Sequence, residues 1–286
     1  MATCQKLYRC ALCFTFLAFH APLPLAAGTI AEKKIMGNSI TCSSGAASCD
    51  RTGISKGACE IFDKFWREFN GPRGEKKFTA PKIVIWLNGA PGAGKGTNTR
   101  HVADRFGIKR KAIVTSDLLN SEEFKKLKEQ GKLIDDAAVT KAVFTKLLSG
   151  AYSGGAIVDG FPRTAQQAEC VKLLYDKILS RNQQSEFRMV LFEVPQNVSV
   201  DRQLGRGREA TRFNEEVKKT GKGKPIAVRK TDVDPGAARM RYRTYVEQTE
   251  HAGDVMKQFF PCHRIDANGS LDQVKDNITA TFKHVK

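Results

Sequence analysis

The sequence predicts an α/β fold in three layers, with a parallel central sheet of about five strands covered by helices on both faces. Two observations carry this. Short apolar runs at 82–87, 112–115, 156–158, 189–194 and 263–266 alternate with helical patterns, which implies right-handed crossovers between parallel strands. Directly after the first run stands Gly89-Ala-Pro-Gly-Ala-Gly-Lys-Gly-Thr97, ahead of a polar helix start. In such a sheet ligands bind outside the carboxyl ends of the strands, which is where this loop falls.

The loop reads as a phosphate cradle. Glycines at 89, 92, 94 and 96 let the backbone turn tightly and point successive N–H groups inward, and the positive end of the following helix adds to their field. Gly92, Ala93, Gly94, Lys95, Gly96 and Thr97 are the expected binding set. Lys95 is placed to reach β and γ phosphate oxygens, and the Thr97 hydroxyl to meet a phosphate or a magnesium ion. Gly96 separates the lysine from the threonine, a departure from the plain G-x-x-x-x-G-K-[ST] pattern.

The run at 156–158 leads into Ala156-Ile-Val-Asp-Gly-Phe-Pro-Arg163, with Gln167 four residues on. It reads as a buried strand ending in a carboxylate, a turn and an arginine. Together with the glycine-rich loop and Gly131-Lys-Leu-Ile-Asp-Asp136, in this order along the chain, the sequence from about residue 82 to the C-terminus resembles the adenylate kinases and the wider nucleoside monophosphate kinases. The resemblance implies a P-loop kinase fold with two mobile insertions, a monophosphate-binding segment at roughly 116–137 and a lid at roughly 206–230. The lid region is legible by itself: ten Lys or Arg against three Glu lie between Arg202 and Lys230, a sign balance suited to closing over a triphosphate. No cysteine lies between 171 and 261, so the zinc-binding lid of some relatives is not expected.

Residue roles follow from the resemblance. Lys95 corresponds to the phosphate-loop lysine and Arg163 to the arginine that holds the monophosphate's phosphate. Arg202, Arg206, Arg229 and Arg241 correspond to the arginines that bind ATP and stabilise the transferring group; arginine suits such places because its fork binds phosphate oxygens in pairs. Asp159 corresponds to the carboxylate that orients magnesium through water. The AMP set is Thr115, Asn120, Lys132, Leu133, Ile134, Gly160, Phe161, Pro162, Arg163 and Gln167. An amide at 167 donates and accepts at once, so it can read the hydrogen-bonding edge of adenine.

Two features depart from the family pattern. Its T-G-D-x-L-R reads here Thr115-Ser-Asp-Leu-Leu-Asn120, so a neutral amide stands where an arginine is expected, and the chain from Asn120 to Gly131 is short for the family. Lys125, Lys126 or Lys128 is a candidate for supplying that charge. The paired aspartates expected after the lid arginine read Thr231-Asp232, with Asp234 close by.

The 286 residues, 41% of them apolar, suffice for one α/β domain, expected at 80–286, and an extension. Residues 1–27 have the layout of a targeting segment: Lys6 and Arg9, an apolar stretch at 10–19, then Ala26, Ala27 and Gly28. Residues 28–79 form an extension with an amphipathic helix at 56–70, where Ala58, Ile61, Phe62, Phe65, Trp66 and Phe69 share one face. That stripe is expected to pack on its own domain. Six of the eight cysteines precede residue 60, and a disulfide among Cys42, Cys49 and Cys59 would require an oxidising compartment.

The net charge of +17 fits a protein that grips polyanions. Few aromatics interleave the basic cluster, which disfavours nucleic acid as the partner, and no apolar run is long enough for a stable membrane span. These readings converge on a monomeric, magnesium-dependent kinase that moves the γ phosphoryl of ATP to AMP. A kinase for UMP, CMP or a broader set, and a nucleotide-binding regulator without turnover, are the alternatives. Because the reaction needs ATP, the cytoplasm or an ATP-containing organelle is expected rather than secretion, and the Asn-x-Ser/Thr triplets at Asn197, Asn268 and Asn277 then stay unmodified.

Overall fold

The computed structural model describes residues 53–72, 74, 76–119 and 135–283. The expected targeting segment, Cys42, Cys49, Asn120, Lys125, Lys126, Lys128, Lys132, Leu133 and Ile134 lie outside the described residues. Five strands, β1 (Ile83–Gly89), β2 (Ile113–Val114), β3 (Ala156–Asp159), β4 (Glu186–Glu193) and β5 (Cys262–Asp266), form one all-parallel sheet in the order β2-β3-β1-β4-β5. β1 is central, so both neighbours bring their carboxyl ends to the loop that follows it. Leu87 stands beside Asp159, and Gly89 beside Phe192.

The strands are buried on both faces, and side chains alternate between two cores. Val84 and Trp86 of β1, with Met189 and Leu191 of β4, face one core. Ile85 and Leu87, with Val190 and Phe192, face the other, which α2 (Lys95–Arg105) and α10 (Leu271–Thr281) cover.

The first core is closed by α1 (Lys56–Asn70), α4 (Asp136–Leu147), α5 (Ala165–Ser180) and α9 (His251–Phe259). Ser55 caps α1 by accepting from Ala58 N, and its backbone N–H donates to Glu169 of α5 at 3.1 Å. The apolar face of α1 then meets the domain: Phe65 packs edge-on to Phe144 of α4 at 5.4 Å, and Cys170 of α5 donates to the Ala58 carbonyl. α1 lies in the same compact unit as the sheet. The reason is burial: Phe62 and Phe65 are each 2% exposed, and together such side chains contribute about 3–6 kcal/mol of hydrophobic stabilisation.

Two elements differ from the sequence expectation. The apolar run at 112–115 is a strand only over Ile113–Val114, because Thr115 already opens the short helix α3 (Thr115–Leu118) and its hydroxyl donates to the Asp159 carbonyl at 2.8 Å. The basic region after 202 begins as the continuation of one long helix, α6 (Gln196–Thr220), which ends at Gly221 in the left-handed conformation. The chain then returns to α7 (Lys230–Val233), α8 (Pro235–Thr244) and a π-helical turn, Tyr245–Glu250. Asn214 fixes that return by donating to the Ile226 carbonyl at 2.8 Å and accepting from its N–H at 2.7 Å. Among the described residues no helix is long and apolar enough to cross a membrane.

Candidate active site

The glycine-rich loop joins the end of β1 to α2. Gly89 has φ 145°, and a Cβ there would lie 2.2 Å from the Phe192 carbonyl oxygen, so only glycine fits against β4. A Cβ on Gly92 would meet the Ser199 carbonyl at 2.9 Å, which fixes the loop against the start of α6. Ser199 adds a 2.6 Å hydrogen bond to the Pro91 carbonyl. Gly96 is different: it has open space where a Cβ would be and an ordinary helical φ. Nothing among the described residues requires glycine there, whereas close approach of a ligand to the first turn of α2 would. The first N–H groups of that turn have no partners within the helix and face the same space.

Lys95 is the first residue of α2. Its ammonium donates to the carbonyls of Gly89 at 2.8 Å and Ala90 at 2.9 Å, so it is half-buried over the loop rather than solvent-facing. Burial pushes its pKa down to about 8; Asp159 opposes that shift, and Arg163, Arg241 and Arg206 reinforce it. Arg241 shows the same pressure, with its pKa lowered to about 10 by burial and by Arg229, Arg206 and Arg163. Five cations therefore crowd one space from four elements: Lys95 from α2, Arg163 from the loop after β3, Arg206 from α6, and Arg229 and Arg241 from the α7–α8 side.

Two carboxylates face them. Asp159, the last residue of β3, has its pKa raised by burial against the lowering effects of Lys95 and Arg163. Asp232 is 5% exposed and paired with Arg206, Nε to Oδ2 at 3.2 Å; its pKa is lowered because the Arg206 hydrogen bond and the charges of Arg206 and Arg229 outweigh the largest single effect, burial. A concentration of positive charge this dense is costly without an anion. Phosphate is the anion whose oxygens match arginine forks and a helix N-terminus together.

The loop Gly160-Phe-Pro-Arg163 lies beside the phosphate loop. Gly160 N donates to the Leu87 carbonyl at 2.9 Å, Phe161 is fully buried, and the Phe161–Pro162 bond is cis. Arg163 is exposed, with Nε donating to the Gly160 carbonyl at 2.8 Å. Gln167 is 3% exposed and both ends of its amide are engaged: Oε1 accepts from Arg163 N at 2.8 Å and Nε2 donates to Asp136 at 2.8 Å. The other oxygen of Asp136 accepts from the Thr164 hydroxyl at 2.6 Å. Thr115, expected in the AMP set, spends its hydroxyl on the Asp159 backbone carbonyl. Arg202 is turned toward the loop after β5, donating to the carbonyls of Ala267 at 2.8 Å and Gly269 at 3.0 Å.

Sequence reasoning had no signal for Asn88 or Ser199 as parts of this site, and it quoted Asp136 only as the end of a motif, without its partners. Their contacts lie 74, 108 and 31 positions away.

Comparison with known proteins agrees with this geometry. The adenylate kinase family model matches residues 87–259, more than half of the chain. The chain is 31% identical over 222 residues to an adenylate kinase of Malassezia globosa, covering 71% of this chain and 85% of that one. It is 31% identical over 209 residues to an adenylate kinase of Deinococcus deserti (70% and 96% covered), and 30% identical over 207 residues to one of Parasynechococcus marenigrum (69% and 97% covered). With phosphate loop, arginine ring and sheet order in place, the chain belongs to the adenylate kinase family, phosphotransferases that act on nucleotides.

Proposed function

We propose that this protein transfers the γ phosphoryl group of ATP reversibly to AMP, giving two ADP. The observation that carries the reading is the ring of Lys95, Arg163, Arg206, Arg229 and Arg241 around the phosphate loop, with Asp159 and Asp232 as its opposing charges among the described residues. A protein that only senses a nucleotide needs the cradle but not this many charges over the transferring group.

In this mechanism the loop N–H groups and Lys95 hold the β and γ phosphates, and Arg163 holds the acceptor's phosphate. Arg206, Arg229 and Arg241 stabilise the charge that spreads over the transferring group, and Arg202 borders the ATP side. No covalent intermediate is required, because placement and electrostatic stabilisation supply most of the rate enhancement. Lys95 exchanges its carbonyl partners for phosphate oxygens, and closure of the basic segment excludes water.

The donor set fits a magnesium ion carried in with ATP. Asp159 is a hard oxygen donor at the end of β3, in register with Leu87 of the strand that leads into the phosphate loop, and a single carboxylate suits an ion that keeps several of its waters. Bound there, the ion would neutralise phosphate charge, with Asp159 orienting it through water.

AMP as acceptor is supported by Gln167 and by the names of the relatives. Its amide orientation is set by its partners, oxygen toward the Arg163 N–H and nitrogen toward the Asp136 carboxylate, which leaves one N–H and one lone pair to meet a base edge. A coupled assay of the whole chain with ATP and AMP, UMP, CMP or GMP in turn tests the reading. A higher kcat/KM with UMP or CMP would replace AMP as the acceptor, and ATP binding without ADP formation would leave a regulator.

A further inference from the structure

Asn88 is the last buried side chain before the phosphate loop, 2% exposed, and a polar residue that deep in a sheet destabilises the fold unless it is hydrogen-bonded. Its two partners belong to the two substrate loops. Oδ1 accepts from Gly89 N at 2.9 Å, the first N–H of the phosphate loop, and Nδ2 donates to the carbonyl of Pro162, the residue before Arg163. The orientation of the amide is not open to choice, because one partner can only donate and the other only accept.

The next atoms outward are the groups that bind phosphate. The Gly89 carbonyl receives the Lys95 ammonium at 2.8 Å, and Arg163 follows Pro162 directly. One planar amide with two stiff bonds thus connects the backbone under Lys95 to the backbone under Arg163. A second tie, Gly160 N to the Leu87 carbonyl at 2.9 Å, runs alongside it, so the connection resists rotation as well as stretching.

We infer that Asn88 is a positioning residue that sets the spacing between the donor-phosphate loop and the acceptor-phosphate arginine. The inference rests on the phosphoryl-transfer reading above, and it concerns the chemical step rather than the binding of either nucleotide. In-line transfer depends on the distance between two independently held phosphates, and displacement of one by about 1 Å can lower the rate about a hundredfold. Binding of one nucleotide at a time is insensitive to that distance. A residue that merely caps the end of β1 would affect melting temperature and not this difference.

The test uses the full chain with Asn88→Leu, which removes both bonds, and Asn88→Asp, which keeps the acceptor for Gly89 N and replaces the donor to Pro162 with an acceptor. The acceptor nucleotide of the parent chain is identified first; kcat, both KM values, the separate Kd of ATP and of the acceptor, and the melting temperature are then measured. Both variants should lose about tenfold to a hundredfold in kcat while each Kd stays within about twofold of the parent. Should Asn88→Leu fail to fold, Asn88→Asp decides alone. Parental kcat in Asn88→Asp, or a fall in kcat matched by an equal weakening of either Kd, overturns the inference while leaving the kinase reading intact. A parent chain that turns over no monophosphate overturns both.

Discussion

Arg206 and Asp232 hold each other as a fork on a carboxylate across the gap between α6 and α7, and Gly207, the next residue of α6, is what lets them meet. A Cβ on Gly207 would lie 1.8 Å from the Asp232 carbonyl oxygen. Absence of a side chain at one position therefore sets the place of a charge at the next.

Gly207→Ala tests this. Alanine gains about 1 kcal/mol in helix propensity, but overlap with a backbone atom cannot be relieved by rotating a side chain, and overpacking costs about 1–3 kcal/mol or more. The clash should win: a lower melting temperature together with a raised KM for ATP. A variant as stable and as active as the parent would show that α7 can retreat without moving Arg206 or Asp232.

Lys95 should give the reaction an alkaline limit. In the free protein its pKa is about 8, lowered first by burial, so kcat/KM for ATP is expected to fall as pH rises through that value. A bound phosphate restores the preference for the ammonium, so kcat should persist to higher pH. For stability the sign is opposite: between about pH 8 and the ordinary lysine value the unfolded chain binds more protons, and Lys95 makes folding more favourable as pH rises. Lys95→Met should remove both dependences and lower kcat about a thousandfold or more. A near-parental rate would exclude Lys95 from the mechanism.

Asp136 should act on the acceptor side alone. Its two oxygens hold Gln167 and Thr164, which flank Arg163 in the loop-to-helix turn. Asp136→Ala should raise KM for AMP about tenfold, corresponding to one charged hydrogen bond of about 1.5 kcal/mol, and leave KM for ATP unchanged. Asp136→Asn, able to keep one of the two bonds, should fall between. Equal changes in both KM values would indicate general loosening instead.

The aromatic face of α1 should contribute stability without contributing to turnover. Phe65→Ala removes a 2% exposed ring that packs against Phe144 and Phe69, and a loss of about 3–5 kcal/mol is expected, read by denaturant unfolding, with kcat per folded molecule unchanged. A fragment starting at residue 80 should be less stable still, because it uncovers the same faces of α4 and α5. A fragment as stable as the full chain would mean that α1 docks without supporting the core.

By itself the sequence determined the sheet, the phosphate loop and the family, because each is written in residues adjacent along the chain. Apolar runs of strand length, glycines whose spacing matches backbone turns, and the Asp159-to-Arg163 motif are local patterns, and local patterns survive without coordinates. It also placed the basic stretch beginning at Arg202, since a bias of sign is visible in a count. What only the tertiary structure decided is which polar groups are already used. Gln167 reads as an amide free at both ends, but Arg163 N and Asp136 each take one of its hydrogen-bonding positions; the Thr115 hydroxyl is on the Asp159 carbonyl, and the Arg202 fork is on the loop after β5. Asn88, Ser199 and the pairing of Asp136 with Gln167 carried no signal, because a hydrogen bond between residues far apart in the chain leaves no mark on composition or period. The physical reason is common to all of them. Hydrophobic burial is a property of each residue and repeats with the element that carries it, whereas a hydrogen bond belongs to a pair, and the pair exists only once the chain has folded.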